Sequence, residues 1–193
     1  MSHFPSFIAA AFLLLLTPGP TNSLVAAGGA LDGWRRAWPL LVAELLGYAC
    51  GIAVLELLVA PFAEAFHPVR FMLQAACALY LAVAAWQIWK SALTQARAVT
   101  FRRVFLATLS NPKAAVFVFV ILPPRSIGFV ALLFPYLTAL MALIAIAGSA
   151  WMMLGSLVHG NLSERGDLWI RRAGSLALGT FSSLLVMSMA GVW

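Results

Sequence analysis

The sequence predicts an all-α integral membrane protein of six transmembrane helices, built as two inverted three-helix repeats with broken helices 1 and 4. Three observations carry that prediction. Of 193 residues, 63% are hydrophobic and 9% are charged, too few polar side chains to cover a globule of this size in water. Nearly uncharged runs recur at the roughly 20 residues that a hydrocarbon core about 30 Å thick demands. Two of these runs, the first and the fourth, are interrupted by proline motifs in corresponding positions.

The first span covers residues 4–30, and the second, 38–60, carries Glu44 and Glu56. The third covers 71–89 and the fourth 101–122, with Lys113 inside it. Between Ser126 and Ser163 there is no Lys, Arg, Asp or Glu, a stretch too long for one simple span. Pro135 is expected to start the fifth helix there, leaving 127–134 as a short surface or re-entrant piece. The sixth covers 173–193, so the chain is expected to be one transmembrane domain over 1–193, with halves of roughly 1–95 and 96–193. Met1 to Pro5 contains no Lys or Arg, and the apolar run continues past signal-peptide length, so the first segment is expected to stay as a permanent helix.

The charges sort by position. Arg35 and Arg36 follow helix 1; Lys90, Arg97, Arg102 and Arg103 follow helix 3; Arg165, Arg171 and Arg172 follow helix 5. The opposite side has Arg70 and Arg125. Because Lys and Arg are retained on the cytoplasmic side, both termini are expected to face outward. Trp34, Trp38, Trp89 and Trp169 flank the basic connections as interfacial aromatics. The net charge of +6 and pI near 10.2 do not indicate a nucleic-acid partner, since such binders cluster basic residues on a solvated face. Cys50 and Cys77 form no CxxC and sit in apolar runs, so inert buried thiols are expected rather than a disulfide or zinc site. His3, His67 and His159 are scattered near span ends and do not make a metal cluster, and no cofactor is implied.

Helix 1 contains Thr17-Pro18-Gly19-Pro20-Thr21-Asn22, and helix 4 contains Ser110-Asn111-Pro112-Lys113. Each interior proline removes an N–H and pushes away the carbonyl four residues back, here those of Leu14, Leu16 and Thr108. A single proline often does no more than kink a membrane helix. Two prolines flanking a glycine require local unwinding, and unwound backbone survives in a membrane where it is packed in protein or lines a polar cavity. Thr17 lies roughly 20 Å from the outer end of its span, and Asn111 roughly 13 Å from the inner end of its own. The two breaks thus fall at similar depths, as expected where discontinuous helices of inverted repeats meet at a binding site. Half-helix N-termini suit a carboxylate. Asn111 before Pro112 is a preferred N-cap and N1 pairing, Thr21 or Asn22 is expected to cap the restart in helix 1, and the freed carbonyls of Leu14 and Leu16 suit an ammonium.

Ionisable groups inside a membrane usually face a cavity or each other. Glu44, roughly 9 Å deep by helical rise, and Lys113 are therefore functional candidates, with a purely structural ion pair as the alternative. Glu56 computes to the outer interface, where hydration explains it, and Asp32, Glu64, Glu164 and Asp167 are placed in connections. Tyr48 and Tyr80 fall near mid-membrane, where their hydroxyls need partners; they either line a cavity or simply pack. Gln74 and Gln87 are read as interhelical hydrogen-bonders. Gly47-x-x-x-Gly51 allows close helix approach, within the bundle or across a dimer interface. Ser149 and His159 lie ten residues apart on one helix, poor geometry for a protease dyad.

In order and spacing, Thr17-Pro18-Gly19-Pro20-Thr21-Asn22, Glu44-Leu45-Leu46-Gly47-Tyr48, Tyr80-Leu81 and Asn111-Pro112-Lys113 resemble the LysE/RhtB family of lysine and threonine/homoserine exporters. The resemblance implies a bacterial inner-membrane protein exporting an amino acid or close analogue, driven by protons and often a homodimer. It implies a site of Pro18, Gly19, Pro20, Asn22, Asn111, Pro112 and Lys113. Thr21 stands where the family often has Asn or Asp, and Gln74, Cys77 and Ala85 stand where helix 3 commonly has a basic residue and glycines. The site expected here combines those residues with Thr21, Tyr48 and Tyr80. Asn22, Asn111 and Lys113 hold the carboxylate, and Glu44 binds the ammonium or carries the exchanged proton. A membrane thiol–disulfide electron carrier would need cysteines at matching places in the two halves, and a metal-ion exporter would need His, Asp and Cys clusters. A non-transporting membrane scaffold is the remaining alternative.

Overall fold

A computed structural model describes residues 4–90, 99–123 and 129–158, together with 172, 176, 179–180, 182–187 and 189–190. Every regular element in it is helical. Helix α1 runs Phe4–Leu16 and α2 runs Pro20–Asp32, joined at a 60° bend by the Pro-Gly-Pro segment. After Gly33, α3 runs Trp34–Val54, passes through a π-helical turn at Leu55–Val59 and continues as α4, Ala60–Ala65. Helix α5 covers His67–Lys90. The second broken helix comprises α6, Phe101–Leu109, and α7, Lys113–Val116, with a π-helical extension at Phe117–Ile121 and a 43° bend between its parts. Helix α8 covers Phe129–Val158.

Trp34–Ala63, Pro68–Gln87 and Leu133–Leu157 are long and apolar enough to cross a membrane, and counting each bent pair as one span gives up to five. The protein is thus an all-α, multi-pass helical bundle. The expected sixth span lies largely outside the described residues, as do Arg97, Arg125, His159, Arg165, Trp169 and Arg171. Within 182–187 the chain is helical and sits on α5, Ser182 Oγ donating to the Ala78 carbonyl at 2.8 Å.

Four expectations change. Helix α8 runs unbroken through Pro135, so the fifth helix begins by Phe129 and residues 129–134 are not a separate surface piece. Membrane helices continue through an interior proline where packing against neighbouring helices and small local adjustments satisfy the freed backbone. Glu56 is buried rather than hydrated. It lies in the π-helical turn, where the wider winding changes which face a residue occupies, something depth counted at a uniform α-helical rise does not capture. Cys50 is exposed at the protein surface and Cys77 is buried, both as free thiols. Glu64 lies in α4 rather than in a loop.

The packing interlocks the two halves of the sequence. Helix α2 lies on α8 with backbone against backbone: a Cβ at Gly29 would meet the Met152 carbonyl, and one at Gly155 would meet that of Ala26. Helix α3 lies on α6 in the same manner, since a Cβ at Gly47 would fall 2.6 Å from Thr108 Cβ and 3.0 Å from the Phe105 carbonyl. The Gly47-x-x-x-Gly51 motif therefore serves contact within the bundle. An apolar core gathers Leu14, Leu15, Tyr48, Leu81, Phe117 and Leu140 around the breaks.

Among the described residues, basic side chains gather at the ends of α2 and α5 and at the start of α6. Val99, beside Arg102 and Arg103, approaches Gly28 near the end of α2, and the Arg172 guanidinium lies 5.6 Å from the Trp89 ring at the end of α5. Arg35 over Trp34 and Lys90 over Trp86 add two more cation–aromatic pairs there. At the start of α1, Phe4 and Phe7 pack edge-on against Tyr136, at 5.0 and 4.8 Å between centroids.

Candidate functional site

At the first break, a regular helix would leave carbonyls without N–H partners, and side chains supply the replacements. Thr17 Oγ1 donates to the Leu14 carbonyl at 2.6 Å. The Asn22 amide reaches back across the unwound segment and donates to the carbonyls of Leu15 and Thr17 at 2.7 and 2.8 Å. Asn22 therefore closes the break rather than capping α2, whose N-cap is Gly19 with no side-chain bond. The Pro-Gly-Pro segment makes this possible by unwinding the chain: Pro18 brings no N–H to Leu14, and the extended backbone at Gly19 breaks the helical register that would pair Gly19 and Thr21 N–H with Leu15 and Thr17.

At the second break, Asn111 Oδ1 accepts from the Lys113 backbone N–H at 3.0 Å, and the Asn111 carbonyl accepts from Ala114 N–H at 3.0 Å. The N-cap of α7 is Pro112 rather than the expected Asn111, and the Asn111 side chain serves the first N–H of the helix from one residue further out. With its oxygen committed to that N–H, the amide nitrogen of Asn111 faces the first half, donating to Thr21 Oγ1 at 3.0 Å and to the Tyr48 hydroxyl at 3.3 Å. Thr108 donates to the Val104 carbonyl at 2.8 Å and lies 3.3 Å from Thr21 Oγ1.

Lys113 joins the two breaks. Its side chain is 2% exposed, passes beside Gly19 and donates from Nζ to the Thr17 carbonyl at 2.8 Å. A Cβ at Gly19 would lie 3.1 Å from Nζ. The Lys113 ammonium thus uses a carbonyl outside the pair, Leu14 and Leu16, that the prolines were expected to free. Leu14 is already occupied by the Thr17 hydroxyl, whereas Thr17 has a second lone pair left after Asn22.

Glu44 is 1% exposed and packs from α3 against α8 at Gly148. Its Oε2 has no hydrogen-bond partner, and the Lys113 ammonium is held on Thr17 rather than on this carboxylate. The ion-pair alternative is thus not the arrangement adopted. Tyr48 is fully buried and crosses edge-on to Phe117 at 5.9 Å. Tyr80 packs, half-buried, against the same core but does not join the hydrogen-bonded group. Gln74 Nε2 does bond between helices, donating to the Phe119 carbonyl at 3.1 Å.

The structure therefore brings Thr21, Asn22, Tyr48, Asn111 and Lys113 into one connected set, with Pro18, Gly19, Pro20 and Pro112 forming its backbone breaks. Sequence reasoning missed three contributors: Thr17 as acceptor, Thr108 beside Thr21, and Gly148 beside Glu44. The first two flank the proline motifs, so a count of groups freed or displaced at each break points to them. Gly148 has no such signal. Among the described residues no group of three or more His, Cys, Asp or Glu is placed to hold a metal ion.

The sequence matches the family model of the LysE type translocator over residues 12–188. No curated relative and no solved structure matches the chain. The matched segment contains both breaks, Glu44, Tyr48 and the whole hydrogen-bonded set, and its proteins are transporters rather than enzymes. This multi-pass bundle belongs to the LysE/RhtB family of membrane transporters.

Proposed function

We propose that this protein exports an amino acid or close analogue across the bacterial inner membrane by proton antiport, at the junction of its two broken helices. The observation that carries this reading is the 2.8 Å bond from Lys113 in the second break to the Thr17 carbonyl in the first. A buried ammonium on an unwound carbonyl is the arrangement that a zwitterion can exchange with. The substrate carboxylate takes Lys113, and the substrate ammonium takes the Thr17 carbonyl or Glu44. Membrane transporters commonly build their sites from such discontinuous helices.

Asn22 and Asn111 act here mainly by fixing the shape of the breaks, since their amides are already bonded across them. The N–H groups at the start of α2 add partial positive charge near the carboxylate. Tyr48 and Tyr80 line the junction. Glu44 is the group that carries the exchanged proton or receives the ammonium, with Lys113 and Tyr48 as the polar side chains near it. Alternating access follows from rocking about the inverted repeat of roughly 1–95 and 96–193. Because α2 is seated on α8 and α3 on α6, the bodies that rock combine helices of both halves. Both termini face outward, and a homodimer is the working assembly.

A screen of amino acids for growth protection on overexpression, followed by counterflow of the protective compound in proteoliposomes, tests the function. Export of that compound with Glu44→Gln or Lys113→Ala abolishing it is the expected result. Unchanged flux in both variants overturns the mechanism, and a failure of every amino acid tested overturns the substrate class.

A further inference from the structure

Glu44 is buried from α3 with Oε2 free of hydrogen bonds, so packing rather than a polar partner fixes where that oxygen sits. The surface it rests on is the backbone of α8 at Gly148. A side-chain carbon at position 148 would run into Oε2 and would lie 2.6 Å from Leu41 Cδ1. Glycine inside an α-helix costs about 1 kcal/mol relative to alanine, and α8 is a single 30-residue helix in which Gly148 has no positive φ. Backbone conformation does not require a glycine there. The other glycine of this helix faces differently: Gly155 opposes the Ala26 carbonyl, which is helix-on-helix packing. Gly148 opposes a carboxylate.

We propose that Gly148 is a positioning residue for transport: the notch left by its missing side chain seats the Glu44 carboxylate between α3 and α8. This rests on the reading of Glu44 as the group that takes a proton or an ammonium. The notch keeps Oε2 uncommitted, and a shift of α8 along α3 moves the wall against which the carboxylate rests. Glu44 thereby registers the relative position of two helices that belong to opposite halves of the sequence.

Two experiments on the full chain test this. In the first, thermal unfolding in detergent is compared for Gly148→Ala alone, with Glu44→Ala, and with Leu41→Ala. Seating of the carboxylate requires that Gly148→Ala lower the unfolding temperature in the wild-type background and cease to lower it once Glu44 is shortened. Relief by Leu41→Ala but not by Glu44→Ala would make Gly148 a helix-packing residue and overturn the proposal, as would no effect of Gly148→Ala in any background. If Gly148→Ala alone cannot be purified, recovery of folded protein in the Glu44→Ala double variant is the supporting result, and its failure to recover overturns the proposal. In the second, dicyclohexylcarbodiimide, which modifies protonated carboxyl groups, is the probe, with adduct at position 44 read by mass spectrometry. Gly148→Ala should slow labelling about tenfold, within the range that misplacing a group by about 1 Å produces, and Glu44→Asp should restore it by withdrawing the carboxylate one methylene from the new methyl group. Labelling of Gly148→Ala at the wild-type rate overturns the positioning role even if transport still needs Glu44. Transport indifferent to Glu44→Gln, with the stability coupling intact, instead overturns the reading of Glu44 and leaves the notch standing.

Discussion

The Lys113 ammonium donates to the Thr17 carbonyl at 2.8 Å across 96 positions of sequence, tying the second helix break to the first. Neither residue is exposed, and the bond passes over Gly19. Lys113→Met should therefore abolish transport, by about 100-fold or more, the scale of losing a charged group aimed at a substrate in a dry site. Its effect on stability should be smaller, within about 2 kcal/mol, since removing the charge also removes its desolvation penalty. Lys113→Arg should fail as well, because the space beside Gly19 does not admit a branched guanidinium. Counterflow in proteoliposomes and thermal unfolding in detergent measure the two quantities separately. A Lys113→Arg protein transporting at the wild-type rate would sink the fit to Gly19.

Two glycines predict opposite phenotypes. Gly19 has extended backbone at φ −160°, which any residue adopts, so alanine there meets no backbone strain but places its Cβ 3.1 Å from Lys113 Nζ. Gly33 has φ +72° with nothing within 4 Å of a Cβ. Gly19→Ala should impair transport several-fold with near-normal stability. Gly33→Ala should lower stability by about 1–2 kcal/mol, the cost of a side chain in left-handed backbone, and leave the transport rate per folded molecule unchanged. The paired measurement is initial efflux normalised to folded protein, alongside unfolding temperature.

How far the sequence foretold this site depends on which physics each residue obeys. Both breaks, and Asn111 as a side-chain acceptor at the second, were legible because proline deletes a donor wherever it stands and an Asn before it bonds nearby backbone by local geometry, though the N-cap itself falls on Pro112. Placing the breaks at similar depth foretold their meeting. Local rules say which carbonyls a proline frees, not which side chain reaches them: of the pair expected to suit an ammonium, Leu14 accepts from the Thr17 hydroxyl, while Asn22 takes the carbonyls of Leu15 and Thr17. Glu56 was misplaced because a π-helical turn resets the facing of residues without any proline or glycine to announce it. Gly148 was invisible for a related reason, since its meaning lies in the carboxylate that approaches it from another helix.

Gly47 and Gly51 look equivalent in a G-x-x-x-G motif, yet they face different amounts of room. A Cβ at Gly47 would fall 2.6 Å from Thr108 Cβ, whereas one at Gly51 would make ordinary contact at 3.5 Å with the Leu109 carbonyl. Gly47→Ala should separate α3 from α6, costing about 1–3 kcal/mol as overpacking does, and disturb Thr108 beside Thr21. Gly51→Ala should be neutral or stabilising by up to about 1 kcal/mol through helix propensity. Thermal unfolding in detergent decides the matter, and equal destabilisation by both would refute the asymmetry.

Asn111 divides its side chain between two tasks, which substitutions can separate. Asn111→Asp keeps an acceptor for the Lys113 N–H but loses the donations to Thr21 and Tyr48. Asn111→Ala loses all three. Removing a side-chain acceptor for a helix's first N–H groups costs about 0.5–2 kcal/mol, so Ala should be the less stable of the two if capping dominates. A less stable Asp variant would mean that a second carboxyl near Glu44 outweighs the retained cap. Tyr48→Phe, which removes one weakly held acceptor at 3.3 Å, should cost about 0.5–1.5 kcal/mol.

Orientation follows from where the basic residues gather. Val99 against Gly28 sets Arg102 and Arg103 beside the end of α2, and Arg172 lies over Trp89 at the end of α5, while Phe4 stands beside Tyr136 at the start of α1. Since Lys and Arg near span ends resist translocation, those basic ends should face the cytoplasm, and the N-terminus should face outward. An alkaline phosphatase fused at the C-terminus, active only outside the inner membrane, should be active if a sixth span follows Arg172. The same reporter inserted after Asp32 should be inactive. An inactive C-terminal fusion together with an inactive one after Asp32 would keep the basic ends inside but remove the sixth crossing, and an active fusion after Asp32 would reverse the orientation of the whole bundle.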